Sequence, residues 1–124
     1  QIATLQKNVT KIKTLNFTDN EFVLGAPASY WRDLATYDPV ATAQTLQIPL
    51  LILQGLRDYQ VTSEDFIRWN TTFYHNNKVT MKTYSSLNHL FIAGTGVPTN
   101  TEYSTPGHVA VDVINDIAVW IQTH

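Results

Sequence analysis

The pattern of apolar and polar positions changes character repeatedly along this chain. Leu5, Val9, Ile12 and Leu15 recur at spacings of four, three and three, the stripe of a short amphipathic helix. Asn16 to Asn20 reads as a turn, and Ala28 to Leu34 as a second short helix carrying the Tyr30-Trp31 pair. Asp38-Pro39 has the form of a helix cap followed by proline at the first helical position, with Val40, Ala43 and Leu46 facing inward. No strand is expected before residue 48. Then the period is lost. Leu50 to Leu53 is an unbroken apolar run, as in a strand buried on both faces of a parallel sheet. Pro49 stands at its start, where a missing donor is tolerated, and Gly55 ends it.

A helix is expected from Ser63 to Tyr74, with Phe66, Trp69 and Phe73 as its apolar stripe. Glu64 and Asp65 in the first turn suit the helix dipole, and Thr62 with Asp65 has capping-box spacing. Val79 to Tyr84 alternates, which predicts a strand with one wetter face. Residues 90 to 105 form a long loop with Gly94, Gly96 and Pro98. Thr105-Pro106 signals the start of the last helix, whose stripe is Val109, Val113, Ile117, Trp120 and Ile121. The class is therefore α/β. A helical, cap-like segment spans 1–46. A strand–helix–strand–helix segment spans 47–124.

Composition narrows the function classes. The chain has 124 residues, room for one domain, and a net charge of −2 with no basic stripe, so nucleic acid is not expected as a partner. No apolar run approaches the ~18 residues of a membrane span. There is no cysteine, which excludes thiolate ligands, and the four histidines show no ligand spacing, so neither metal nor other cofactor is expected. The Gly94–Gly96 loop lacks the Lys-Ser/Thr of a phosphate loop. The compartment is left open, because the chain begins at Gln1 and its natural start is expected to lie upstream.

Topology brings two chemical groups together. Strands joined through a helix lie parallel with a right-handed crossover, so the loops after 48–54 and after 79–84 leave the same sheet edge. Neighbouring strands sit about 4.8 Å apart. Asp58 is in the first loop and His89 in the second. A carboxylate accepting from an imidazole Nδ1–H fixes the tautomer and leaves Nε2 free as a general base. Taken singly, Asp58 fits a loop or cap role and His89 a structural one; the pairing favours chemistry. Arg57 and Tyr59 flank the acid and are expected to hold its loop. His75 reads as a helix terminus, and His108 as a minor candidate for the same edge.

Ile48-Pro-Leu-Leu-Ile-Leu-Gln-Gly-Leu-Arg-Asp-Tyr-Gln-Val61 resembles the acid-bearing segment of the α/β-hydrolase superfamily, and Tyr84-Ser-Ser-Leu-Asn-His-Leu-Phe91 its histidine loop. The helix Val109–Ile121 is similar to the one that closes those proteins. Tyr30-Trp-Arg-Asp-Leu34 and Tyr37-Asp-Pro-Val40 resemble bacterial members related to dipeptidyl aminopeptidases and acylaminoacyl-peptidases. The resemblance implies a C-terminal fragment of an α/β-hydrolase fold acting on ester, amide or peptide bonds, with Asp58 as acid and His89 as base. The family's G-x-S-x-G elbow is absent: none of Ser29, Ser63, Ser85, Ser86 and Ser104 has glycines two before and two after. The serine is therefore expected outside this chain, which alone should be inactive. The alternative is a non-catalytic α/β module that associates through an open sheet edge; a two-stranded sheet is small, and self-association through the edge of 48–54 is expected in either case. A doubly wound nucleotide-binding domain is disfavoured by the missing Gly-rich turn.

Overall fold

A computed structural model describes residues 1–124. It divides into two compact units, Gln1–Pro39 and Val40–His124. The division falls one short helix earlier than the expected one at residue 46. The physical reason is that Val40 and Ala43 are buried against Phe73 of the second unit.

In the first unit, helix α1 (Ile2–Thr14) ends at Leu15 in the left-handed conformation. A hairpin of two-residue strands follows, β1 (Phe22–Val23) and β2 (Ala26–Pro27), paired antiparallel. This corrects the expectation that no strand precedes residue 48. The strands are too short to show a period, and the turn makes the hairpin: Leu24 (φ 49°) and Gly25 (φ 81°) both have positive φ, the geometry that matches strand twist in two-residue connections. Helix α2 (Ala28–Thr36) follows. Phe17, Val23 and Ala28 form the buried cluster, with Ile12 and Trp31 against it. Trp31 Nε1–H donates to the Val23 carbonyl at 2.9 Å. The Arg32 guanidinium lies 5.2 Å from the Phe17 ring centroid and pairs with Asp19 at 2.7 Å.

The second unit is built on β3 (Leu50–Gly55) and β4 (Val79–Tyr84), parallel and in register from Leu50↔Val79 to Gly55↔Tyr84. Helix α4 (Ser63–Phe73) is the crossover. The Asp65 carboxylate accepts from the Thr62 backbone N–H at 2.9 Å, so the capping spacing is used. On one sheet face Leu50, Ile52, Val79 and Met81, with Trp69 of α4, pack against a buried cluster of Phe73 from α4 and Val40 and Ala43 from α3 (Pro39–Gln44). Toward the other lies α5 (Val111–Thr123), whose Asp116 accepts from the Tyr84 hydroxyl at 2.7 Å and pairs with Lys82 at 2.6 Å. Burial, with the bond to the Asp116 carboxylate, pushes the Tyr84 phenol up from its ordinary range.

Helix α5 begins after Ala110, not at the Thr105-Pro106 signal. Tertiary contacts override the proline. Ala110 N–H donates to the Phe91 carbonyl at 2.9 Å, and Gly107 packs on Ile92, whose Cγ2 would stand 2.8 Å from an added Cβ. Residues 106–110 are thereby held against the loop after β4. The long loop also contains a short 3-10 turn, Asn100–Ser104.

Phe73 fills the centre of the second core. Phe73→Ala is expected to destabilise the chain by about 3–5 kcal/mol, whereas Tyr74→Ala, on the exposed neighbour, should cost less than about 0.5 kcal/mol. Urea unfolding of both variants checks the contrast.

Candidate active site

Gly55, the last residue of β3, sits where the histidine loop crosses. A Cβ there would lie 2.5 Å from the Leu87 carbonyl oxygen and 2.7 Å from that of Asn88. Only glycine admits this approach. It lets Leu56 N–H donate to the Tyr84 carbonyl at 2.9 Å and Arg57 N–H to the Leu87 carbonyl at 3.0 Å. The two loops are laced together at their roots.

Beyond that point the acid loop turns on itself. Asp58 N–H donates to the Gly55 carbonyl at 3.1 Å. Asp58 Oδ1 accepts from the N–H groups of Gln60 at 2.8 Å and Val61 at 2.9 Å, an Asx-type turn. The buried Gln54 amide donates to the carbonyls of Gly55 and Val61 at 2.8 and 3.0 Å, closing the same loop from below. With Oδ1 committed, Oδ2 is left for His89, whose Nδ1–H donates to it at 2.7 Å.

The Asp58 side chain is 7% exposed and that of His89 40%. Burial by itself would raise the Asp58 carboxyl, but the Val61 N–H, the His89 imidazole and the Gln60 N–H outweigh it and hold the group below the usual carboxylate range. The acid stays ionised, the bond to Nδ1 selects the tautomer, and Nε2 is free to take a proton. A hollow of about 190 Å³ lies beside the pair, walled by Leu53, Gln54, Val61 and Phe91.

The histidine loop is tight. Asn88 N–H donates to the Ile92 carbonyl at 3.1 Å, Gly94 N–H to the Ser86 carbonyl at 2.9 Å, and Phe91 adopts φ 55°. A non-glycine residue in that region is strained. Its ring meets Tyr84 edge-on, centroids 6.0 Å apart.

The structure thus brings Asp58 and His89 together and places Arg57 where the sequence put it, holding the acid loop through Glu102 and the carbonyls of Thr95 and Gly96. Tyr59 stacks on Tyr103 at 6.1 Å. His108 is exposed in the segment ahead of α5 and makes no bond to the pair. Three residues were not anticipated from sequence: Gln54, Asn88 and Glu102. Gln54 and Asn88 brace their own loops, and Glu102 links the two from a third segment; a lone polar residue carries no periodic signal for such a role. No group of three or more His, Asp or Glu side chains could hold a metal ion.

The second unit is therefore a mixed α/β arrangement whose parallel sheet carries a carboxylate–imidazole pair at its carboxyl edge. The chain is 43% identical over 111 residues to Esterase EstD of Thermotoga maritima, a match covering 90% of this chain and 27% of that protein. The chain thus spans about a quarter of the length of that relative. No family model and no solved structure matches.

The Asp58 carboxyl is lowered in the fold, so the stability it contributes is complete above the ordinary, unfolded value, about 3.9, and is lost as pH falls through the lower folded value. Asp58→Asn should therefore be less stable than the parent at pH 7 and lose less on acidification below about pH 4. Thermal unfolding across that range checks the converging curves.

Proposed function

We propose that this chain supplies the acid and base of a serine-type hydrolase of carboxylic esters, Asp58 orienting and charging His89, with the nucleophilic hydroxyl on residues outside 1–124. The observation that carries the reading is the 2.7 Å bond between Asp58 and His89 Nδ1, made at the adjoining ends of two parallel strands. The identity to an esterase supports the ester as substrate class. In this reading His89 Nε2 removes the proton of the hydroxyl as it attacks the ester carbonyl, then returns it to the leaving alcohol. Asp58 stabilises the imidazolium formed between those two events. The finer resemblance to dipeptidyl aminopeptidases and acylaminoacyl-peptidases extends the proposal to amide bonds. By analogy with the same family, the helical segment 1–46 is read as part of a cap or lid.

The open side of the sheet favours a second role for the same chain. β3 pairs with β4 alone. Its other edge presents unpaired backbone groups, the usual means of sheet extension. We place a further strand there, from a second copy or from residues outside the chain. Sedimentation of purified chain should show association that a proline at Leu51 or Leu53 reduces; a strictly monomeric folded chain would refute the second-copy form.

The ester reading is tested with an activated acetyl ester. A longer polypeptide carrying this chain should hydrolyse it, His89→Ala and Asp58→Asn each lowering kcat by roughly 10,000-fold. Residues 1–124 alone should give no turnover above buffer. Turnover by the isolated chain that disappears in His89→Ala would show that the nucleophile is internal.

A further inference from the structure

The residue immediately before the acid and the residue immediately before the base are held by one carboxylate. Glu102, on the 3-10 turn of the long loop, accepts from both terminal nitrogens of Arg57, Nη2 to Oε1 and Nη1 to Oε2 at 3.3 Å. The same Oε2 accepts from Asn88 Nδ2 at 3.1 Å. Arg57 precedes Asp58 and Asn88 precedes His89.

Each of these side chains is committed elsewhere as well. Asn88 is 2% exposed, and its Oδ1 accepts from the N–H groups of Leu90 at 3.0 Å and Ile92 at 3.1 Å. It is the internal strut of the loop that carries His89. Arg57 Nη2 donates to the Thr95 carbonyl at 3.0 Å, and its guanidinium lies so close over Gly94 that an added Cβ would meet Nη1 at 2.0 Å. Nothing here is optimised for stability alone. The Arg57 Nε–H is buried with no partner, and ion pairs with little solvent exposure are commonly replaceable by apolar residues without loss. What the ion pair supplies is direction: a guanidinium fork and a carboxylate fix the relative position of two backbones more tightly than packing does.

We infer that Glu102 is a positioning residue, which through Arg57 and Asn88 sets the separation and orientation of Asp58 and His89. This rests on the hydrolase reading for its purpose but not for its geometry. The Asp58–His89 bond is short while His89 is substantially exposed; an exposed imidazole keeps one rotamer only if its backbone is held.

The test reads His89 itself in this chain. With 15N-labelled histidine, the Nδ1–H proton bonded to Asp58 should give a low-field resonance, identified by its loss in His89→Gln, and the ring nitrogens should report one tautomer. Glu102→Gln turns an amide N–H₂ toward Arg57 or Asn88, both donors, so the resonance should broaden away and the tautomers mix. Adding Asn88→Asp supplies an acceptor to that amide while its other oxygen still serves Leu90 and Ile92. Asn88→Asp/Glu102→Gln should therefore restore the resonance, a rescue that general loosening does not produce. An unchanged signal in Glu102→Gln, or a folded double variant without the signal, overturns the proposal. Folding is read from the indole N–H signals of Trp31, Trp69 and Trp120. Should Glu102→Gln unfold, Arg57→Lys, which keeps the charge and loses the fork, carries the same expectation and the same refutation. Absence of the resonance in the unmodified chain would strike the Asp58–His89 pair itself, and with it the functional reading.

Discussion

Everything in the second unit depends on how closely the end of β3 approaches the loop that follows β4. Parallel pairing in register from Leu50 to Gly55 brings both strand ends to one edge. Pairing alone would leave two loops free to diverge. At Gly55 they cannot, because the missing Cβ lets the carbonyls of Leu87 and Asn88 close on its backbone. From that contact the N–H groups of Leu56 and Arg57 bond across to Tyr84 and Leu87, and the acid and the imidazole emerge side by side. A loop carrying no other constraint would lose of the order of 1–2 kcal/mol per residue on being ordered. Here that loss is met by a dense set of backbone and side-chain bonds, among them the Asx turn of Asp58 and the struts from Gln54 and Asn88.

The electrostatics follow from the same geometry. Asp58 is nearly buried, which on its own would favour the neutral acid. Three donors reverse that preference, two of them backbone N–H groups whose positions are set by the turn. The carboxylate is therefore pre-formed and oriented, which is the condition under which a fixed charge stabilises an imidazolium without reorganisation. Glu102 is likewise held ionised by hydrogen-bond donors. Its carboxyl is held low chiefly by Arg57 and then by Asn88. Two carboxylates, one bonded to the imidazole and the other to the side chains one residue upstream of each site group, tie the edge together.

Much of this was legible from residue order, and what was not has a definite cause. Strand β4 and helix α4 follow from local period, and β3 from the absence of one, an unbroken apolar run. Asp58 and His89 could be paired because a crossover dictates where loops of parallel strands lie. The β1–β2 hairpin was hidden because two-residue strands have no period; its information sits in the Leu24-Gly25 turn. The start of α5 was misplaced because Thr105-Pro106 has the local grammar of a cap, while the Phe91 carbonyl, far away in sequence, holds Ala110 in extended backbone. The link between Asn88 and Glu102 was invisible for the same reason: it joins separate segments, and a lone polar residue looks like surface until the fold gives it partners.

This division between local and non-local information bears on how such a site can vary. The acid and histidine must keep their places because strand ends are fixed by pairing. The residues that aim them are under a looser rule, since any donor–acceptor set spanning the Arg57–Asn88 gap would serve. Charge and hydrogen-bond polarity must then change together: a carboxylate at 102 requires donors at 57 and 88, and an acceptor at 88 requires a donor opposite it. Swaps that break polarity on one side alone leave a poorly solvated polar group without a partner, which costs more than the bond itself was worth. The clamp therefore constrains Asn88 and Glu102 as a pair, even though neither touches the imidazole, and its partners lie on segments separated by as many as 45 positions.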